Sequence, residues 1–140
     1  MKVQVTEELQ ASGEVVWQLV RGFGEIMKWS GGAVESVSVE GDGIGAVRTI
    51  GIAGGAQLQE KLEAHDDAKR TFSYSFVANA LLPVDDYYAT MTIIETGANQ
   101  CRVEWGSTFT PNGVSEEQAG GMVEGIYKSG IAGIKSALTG

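Results

Sequence analysis

Ser115-Glu116-Glu117-Gln118-Ala119-Gly120-Gly121-Met122-Val123-Glu124-Gly125-Ile126-Tyr127 opens a stretch, running on to Leu138, whose reading decides the fold. Ser115 and Gln118 have the spacing of a capping box, which satisfies two orphan backbone donors at a helix start. Beyond them Ala119, Met122, Val123, Ile126, Tyr127, Gly130, Ile134 and Ala137 recur at helical spacing, with Glu124, Lys128 and Lys135 on the opposite side. The pattern predicts one long amphipathic helix over 115–138. Gly120, Gly121, Gly125, Gly130 and Gly133 lie inside it, each costing on the order of 1 kcal/mol relative to Ala. Gly130 and Gly133 fall on the apolar side, where they imply either close packing on a neighbour or space beneath the helix.

Nearly everything before this helix reads as short strands, so its apolar stripe needs a sheet. Val3 and Val5 alternate with polar residues, as a half-buried strand requires. Ser12 is placed to cap a short helix with Glu14 in its first turn and Val16, Leu19, Val20 and Phe23 on its buried side. A second short helix is expected over 24–28, closed by Trp29 and the breaker Ser30-Gly31-Gly32. Six strands are then predicted, Val34–Glu40, Ala46–Ile52, Ala56–His65, Arg70–Val77, Tyr87–Glu95 and Gln100–Thr110. Gly41-Asp42-Gly43, Gly54-Gly55, Asp66-Asp67, Gly97-Ala98-Asn99 and Pro111-Asn112-Gly113 supply the turns. Consecutive strands with short links argue for an antiparallel sheet in an α+β fold, strongly curved around the terminal helix.

Alternation assigns faces. Phe72, Tyr74 and Phe76 share the inward face of one strand, and Tyr87, Ala89, Met91 and Ile93 that of the next. Cys101, Val103, Trp105, Ser107 and Phe109 follow on the last. Two charges break the apolar rule. Glu60 falls in the inward set Leu58, Glu60, Leu62 and Ala64, and Arg48 in the set Ala46, Arg48, Ile50 and Ile52. A carboxylate among apolar neighbours must be paired, hydrated or protonated, and Arg48 on the adjacent strand is the natural partner. Such a pair is either structural alone or the polar anchor of an apolar ligand cavity; a rim position for Arg48 in solvent is the third option.

The bulk numbers exclude several classes. The 140 residues suit one domain. A net charge of −8 disfavours nucleic acid or an anionic membrane as partner, because phosphates need Lys and Arg to displace their counterions. No apolar run approaches the length of a membrane span. The single cysteine, Cys101, permits no intramolecular disulfide, and a cytoplasmic location is expected. Gly41-Asp42-Gly43-Ile44-Gly45 precedes a strand rather than a helix, so it offers no phosphate cradle. His65 is the only histidine, and His65-Asp66-Asp67 is expected to be a turn; no metal or cofactor site is predicted. Trp29 is either a cavity wall or a core plug. The apolar tip Leu81-Leu82-Pro83-Val84 suits a loop that covers a cavity entrance, a partner or a membrane surface, or one folded back on the body.

Several stretches taken together resemble the START/Bet v 1-like helix-grip superfamily, in particular its bacterial polyketide cyclase/dehydrase and lipid-transport branch. They are Val16-Trp17-Gln18-Leu19-Val20 through Phe23 to Trp29, Gly45-Ala46-Val47-Arg48, Glu60-Lys61-Leu62-Glu63 with Asp66-Asp67, Tyr74-Ser75-Phe76, Leu82-Pro83-Val84 with Tyr87-Tyr88-Ala89-Thr90, Val103-Glu104-Trp105-Gly106 and the terminal helix. The resemblance spans nearly the whole chain and implies one ligand-binding domain over 1–140. Its sheet would have seven antiparallel strands gripping the helix, with a hydrophobic cavity between them. The chain is also distantly similar to plant abscisic-acid receptors. Glu60 matches their cavity glutamate, Arg48 a strand arginine near their pocket, Ala53–Ala56 their gate loop and Leu81–Asp85 their latch loop. The gate lacks Ser-Gly-Leu-Pro, the latch lacks His-Arg-Leu, and no lysine matches the one that takes the hormone carboxylate, so hormone sensing does not carry over.

These readings lead to a binding or transport protein for a small hydrophobic or amphipathic molecule such as a lipid, polyketide or isoprenoid. The expected walls are Trp29, Ile50, Leu62, Phe72, Tyr74, Phe76, Met91, Trp105, Phe109, Met122, Ile126 and Tyr127, with Arg48, Glu60 and a hydroxyl of Tyr74 or Tyr87 at the polar end. An alternative is a cyclase or dehydratase with Glu60 and Tyr74 as acid-base pair and Arg48 stabilising an enolate. A third is a protein-partner module using the outer sheet face, whose Lys61, Glu63, Ser73, Ser75, Arg102, Glu104 and Thr108 offer no apolar patch. The chain is expected to be a monomer or weak homodimer without stable membrane insertion.

Overall fold

The computed structural model describes residues 1–139. Strand β1 (Lys2–Leu9) is followed by helix α1 (Gly13–Val20), a 3-10 turn (Ile26–Lys28) and strands β2 (Val34–Glu40) and β3 (Val47–Ile52). Then come β4 (Gln57–Asp66), β5 (Thr71–Asn79), β6 (Val84–Gly97), β7 (Gln100–Pro111) and helix α2 (Glu116–Thr139). All strands join one antiparallel sheet in the order β1-β7-β6-β5-β4-β3-β2. The expected α+β helix-grip architecture is the one observed. The first two strands occupy opposite edges, so α1 and the 3-10 turn must carry the chain across the sheet.

Both helix starts follow the chemistry read from the sequence. Ser12 Oγ accepts from Val15 N at 3.2 Å. At α2 the capping box closes both ways: Gln118 N donates to Ser115 Oγ at 3.1 Å, and Ser115 N donates to Gln118 Oε1 at 3.2 Å. The stripe of α2 is rotated from expectation. Ala119, Val123, Tyr127, Ile131 and Ile134 are fully buried, while Met122 and Ile126 are 44% and 37% exposed and Ala137 is exposed. Met122 and Ile126 each precede a buried residue, about 100° away around the helix, and the concave sheet covers only one flank. Gly133 and Gly130 are explained by close packing. A Cβ at Gly133 would stand 2.1 Å from the Trp29 carbonyl oxygen, and one at Gly130 would stand 2.6 Å from the Trp105 ring.

The largest boundary difference is β6, which begins at Val84 rather than Tyr87. Val84 pairs with Pro111, and the register shifts between Asp85 and Tyr88, where Asp86 takes a φ of 54°. Such a bulge absorbs an irregularity without ending the strand. The loop before it is tied to the body rather than splayed outward. Asn79 Oδ1 accepts from the N–H groups of Leu81 and Leu82 at 2.9 Å each, and Val84 is buried.

The interior is divided. A large cluster beneath α2 and α1 includes Trp17, Phe72, Met91, Trp105 and Tyr127. A small one at the β2–β4 end consists of Val34, Ile50 and Leu58, with Phe76 and Leu81 against it.

Candidate functional site

Strand pleat and register bring the two interior charges together. Arg48 on β3 lies directly opposite Glu60 on β4, with Ile50 opposite Leu58. The register between β4 and β5 shifts between Gln59 and Glu60, which sets Glu60 opposite Phe76. Arg48 Nε donates to Glu60 Oε1 at 2.8 Å, with Nη2 of the ion pair 2.7 Å from the same oxygen, and both side chains are buried. Its Nη1 donates to the Phe23 carbonyl at 2.9 Å. The Phe23 ring covers the guanidinium at 4.1 Å, with the Tyr74 ring at 5.2 Å. The cation is therefore compensated on every side, which a charge in this setting requires. Glu60 is used on one oxygen only. Among the described residues its Oε2 has no hydrogen-bond partner, and it is not one of the fully enclosed unpartnered atoms; Glu60 borders the adjoining space.

That space is a cavity of about 230 Å³ between the two apolar clusters, under the middle of α2. Trp29, Tyr74, Phe76, Tyr87 and Trp105 give it aromatic walls, and Val34, Ile50, Ile52 and Leu58 an aliphatic end. Leu81, Leu82 and Ile26 border it, as do Ile126 and Ser129 on the exposed flank of α2. The rings brace one another. Phe76 stacks on Tyr87 with centroids 4.1 Å apart, and Trp105 stacks on Tyr127 at 4.4 Å. Trp105 Nε1 donates to the Tyr74 hydroxyl at 3.1 Å, and the Tyr87 and Tyr127 hydroxyls are hydrogen-bonded. Burial pushes the Tyr74 and Tyr87 phenols well above their ordinary range and Tyr127 up to about 12. At neutral pH all three are neutral hydroxyls. Trp29 and Ser30 border the cavity, and their Nε1 and Oγ are enclosed without hydrogen-bond partners among the described residues.

Of the residues expected to line a site, Trp29, Arg48, Ile50, Glu60, Tyr74, Phe76, Tyr87, Trp105 and Ile126 border this cavity. The others lie elsewhere. Phe72 lies 6.2 Å from Trp17 beneath α1, and Met91 and Tyr127 are enclosed in the large cluster. Phe109 packs beyond Tyr87 at 6.3 Å, away from the space. Leu62 instead borders a surface groove of about 460 Å³ with Arg21, His65 and Asp67. Met122 is on the solvent flank of α2. Of the two expected entrance loops, only Leu81 and Leu82 border the cavity; on the other side Ile52 does so in place of Ala53–Ala56.

Phe23 as the partner of Arg48 was not visible in the sequence, because a backbone carbonyl acceptor leaves no residue signature. Ser129 and Leu58 were likewise missed as lining residues. The Asp66-Asp67 turn is confirmed for Asp66, whose Oδ1 accepts from Ala68 N and Lys69 N at 3.0 and 3.1 Å. Asp67 does more. It accepts from Trp17 Nε1 at 2.9 Å and from Arg21 at 2.9 and 3.1 Å, and contacts His65 Nε2 at 3.1 Å. Arg21 and Trp17 hold its carboxyl well below the usual range. Among the described residues no three metal-ligating side chains converge, and no helix is long and apolar enough to cross a membrane.

The family described as polyketide cyclase / dehydrase and lipid transport matches residues 1–139. No curated protein matches the chain. Among solved structures, an uncharacterized protein from Bacillus thuringiensis is 34% identical, with a TM-score of 0.92 and 100% of each chain covered. The protein XoxI from Bacillus cereus is 33% identical with a TM-score of 0.89, covering 97% of this chain and 94% of that one. Norcoclaurine synthase from Thalictrum flavum, solved with dopamine and hydroxybenzaldehyde, is 18% identical with a TM-score of 0.75, covering 99% and 86%. At that identity the likeness is one of fold.

Proposed function

From the premise that the chain belongs to the polyketide cyclase / dehydrase and lipid transport family, we propose that it binds a small hydrophobic or amphipathic molecule in the cavity between sheet and α2. The observation that carries this reading is the cavity itself. It has aromatic and aliphatic walls, a buried ion pair at one side and a border on the exposed flank of a helix. Apolar spaces with a few fixed polar groups are the usual form of small-molecule sites. The sole cysteine, Cys101, is buried and free, which suits a reducing compartment such as the cytoplasm. Of the large exposed apolar side chains only Met122 and Ile126 share an element among those on helices and strands, α2, while Val15, Val39, Val77 and Tyr88 lie on separate ones, which supports a monomer or weak homodimer.

A second reading, a cyclase or dehydratase, draws on one observation: Glu60 presents an unpartnered oxygen to the same space as the neutral Tyr74 hydroxyl. A carboxylate could take a proton there while a phenol donates one.

Mass spectrometry of the natively purified protein tests the binding reading. A retained small molecule is expected, and it is expected to be lost in Ser129→Trp, whose new ring would close the mouth from an exposed helix position, with the melting temperature unchanged. A bare protein mass that persists after incubation with apolar extracts overturns the reading. Conversion of the retained molecule, in place of one-to-one retention, decides for the enzyme.

A further inference from the structure

We infer that the cavity selects a compact, uncharged ring compound that donates a hydrogen bond, a phenol or cyclic alcohol, and rejects long-chain carboxylates. This rests on the binding reading above and deepens it. Size comes first. An apolar cavity of about 150 Å³ takes benzene, so the roughly 230 Å³ here suits about nine to twelve non-hydrogen atoms. A sixteen-carbon acyl chain exceeds that, whereas a substituted ring suits a space bordered by Trp29, Tyr74 and Trp105, the two indoles standing edge to face.

Charge sets the second criterion. Among the described residues Arg48 is the only cation on the cavity wall. Its Nε and Nη2 go to Glu60, its Nη1 to the Phe23 carbonyl, and its face to the Phe23 and Tyr74 rings. No cation is left to receive a carboxylate. Of the polar atoms left, Trp29 Nε1 and Ser30 Oγ are neutral and enclosed, and the charged one is Glu60 Oε2, an acceptor that would repel an anion. A ligand ammonium would add an unbalanced charge to a pair that is already neutral, so the complementary group is a neutral donor. A hydrogen bond to an ionised acceptor is stronger than one between neutral groups, and a hydrocarbon of the same shape would leave that oxygen desolvated and unpartnered.

Calorimetry with 4-ethylphenol, 4-ethyltoluene and palmitate tests this on the intact chain, on Arg48→Met/Glu60→Leu, which removes both charges together, and on Glu60→Gln. The wild-type protein is expected to bind the phenol and not palmitate. The ratio of the 4-ethyltoluene to the 4-ethylphenol Kd is expected to fall at least tenfold in the double variant, and in the same direction by less in Glu60→Gln. An unchanged ratio in whichever variant folds overturns the inference, as does palmitate binding more tightly than the phenol; in either case the cavity reading stands. If the wild-type protein binds none of the three probes, this inference falls, and the native mass measurement above decides the cavity reading separately.

Discussion

At the scale of single residues the Arg48–Glu60 pair sets the character of the interior. Two charges this deeply buried must compensate each other, and removing one alone leaves the other stranded at a cost of about 3–5 kcal/mol. Replacing both with apolar residues of similar volume is often neutral or stabilising. Glu60→Leu is therefore expected to lower the urea midpoint sharply, and Arg48→Met added to it to recover most of the loss. If the double variant is no more stable than the single one, the pair is not the compensating unit described here. The pair was legible in the sequence because two charges sat at core parity on strands predicted to be neighbours. The Asp67 cluster was not, since Trp17 reaches it from α1 and Arg21 from the residue just after that helix, and only the folded chain brings them together.

At the scale of elements, α2 shows how glycines of the same type serve opposite ends. Gly133 lies against the Trp29 carbonyl, a backbone atom that cannot move aside, whereas Gly121 and Gly125 have nothing within 4 Å of an added Cβ. All three have helical backbone, so alanine carries no strain of its own there. Gly121→Ala and Gly125→Ala are each expected to stabilise the protein by about 0.5–1 kcal/mol. Gly133→Ala is expected to destabilise it by roughly 1–3 kcal/mol, the range for an overpacked interior. Thermal denaturation of the three variants checks the contrast, and a stabilised Gly133→Ala would mean that the helix does not lie this close to Trp29. The elements themselves were legible, because capping boxes, alternation and turn residues are local. The rotation of α2 was not. Met122 and Ile126 satisfy the helical period as well as Ile131 does, and only the reach of the curved sheet decides which flank is covered. For the same reason Phe72, Met91 and Phe109 had the right parity for the cavity but fill the core beside it.

At the scale of the whole molecule the divided interior has a consequence at high pH. Tyr74, Tyr87 and Tyr127 stand together where the large cluster meets the cavity, and burial raises all three phenols. A folded-state pKa above the unfolded one means that the native chain holds protons the unfolded chain has released. Stability is then fully present below the unfolded value near 10 and is lost as pH rises toward the folded value, which for Tyr127 is about 12. Because the three hydroxyls share one cluster, ionising any of them buries a charge beside the others. Phenolate absorbance is therefore expected to rise together with the loss of tertiary circular dichroism, in one cooperative step above pH 10. Replacing Tyr127 by Phe keeps the ring stacked on Trp105 and removes one ionising hydroxyl, so that step is expected to shift to higher pH. Titration of these tyrosines at their ordinary pKa with the native dichroism intact would show that water reaches them, and the cavity would then be open far more widely than its aromatic walls indicate.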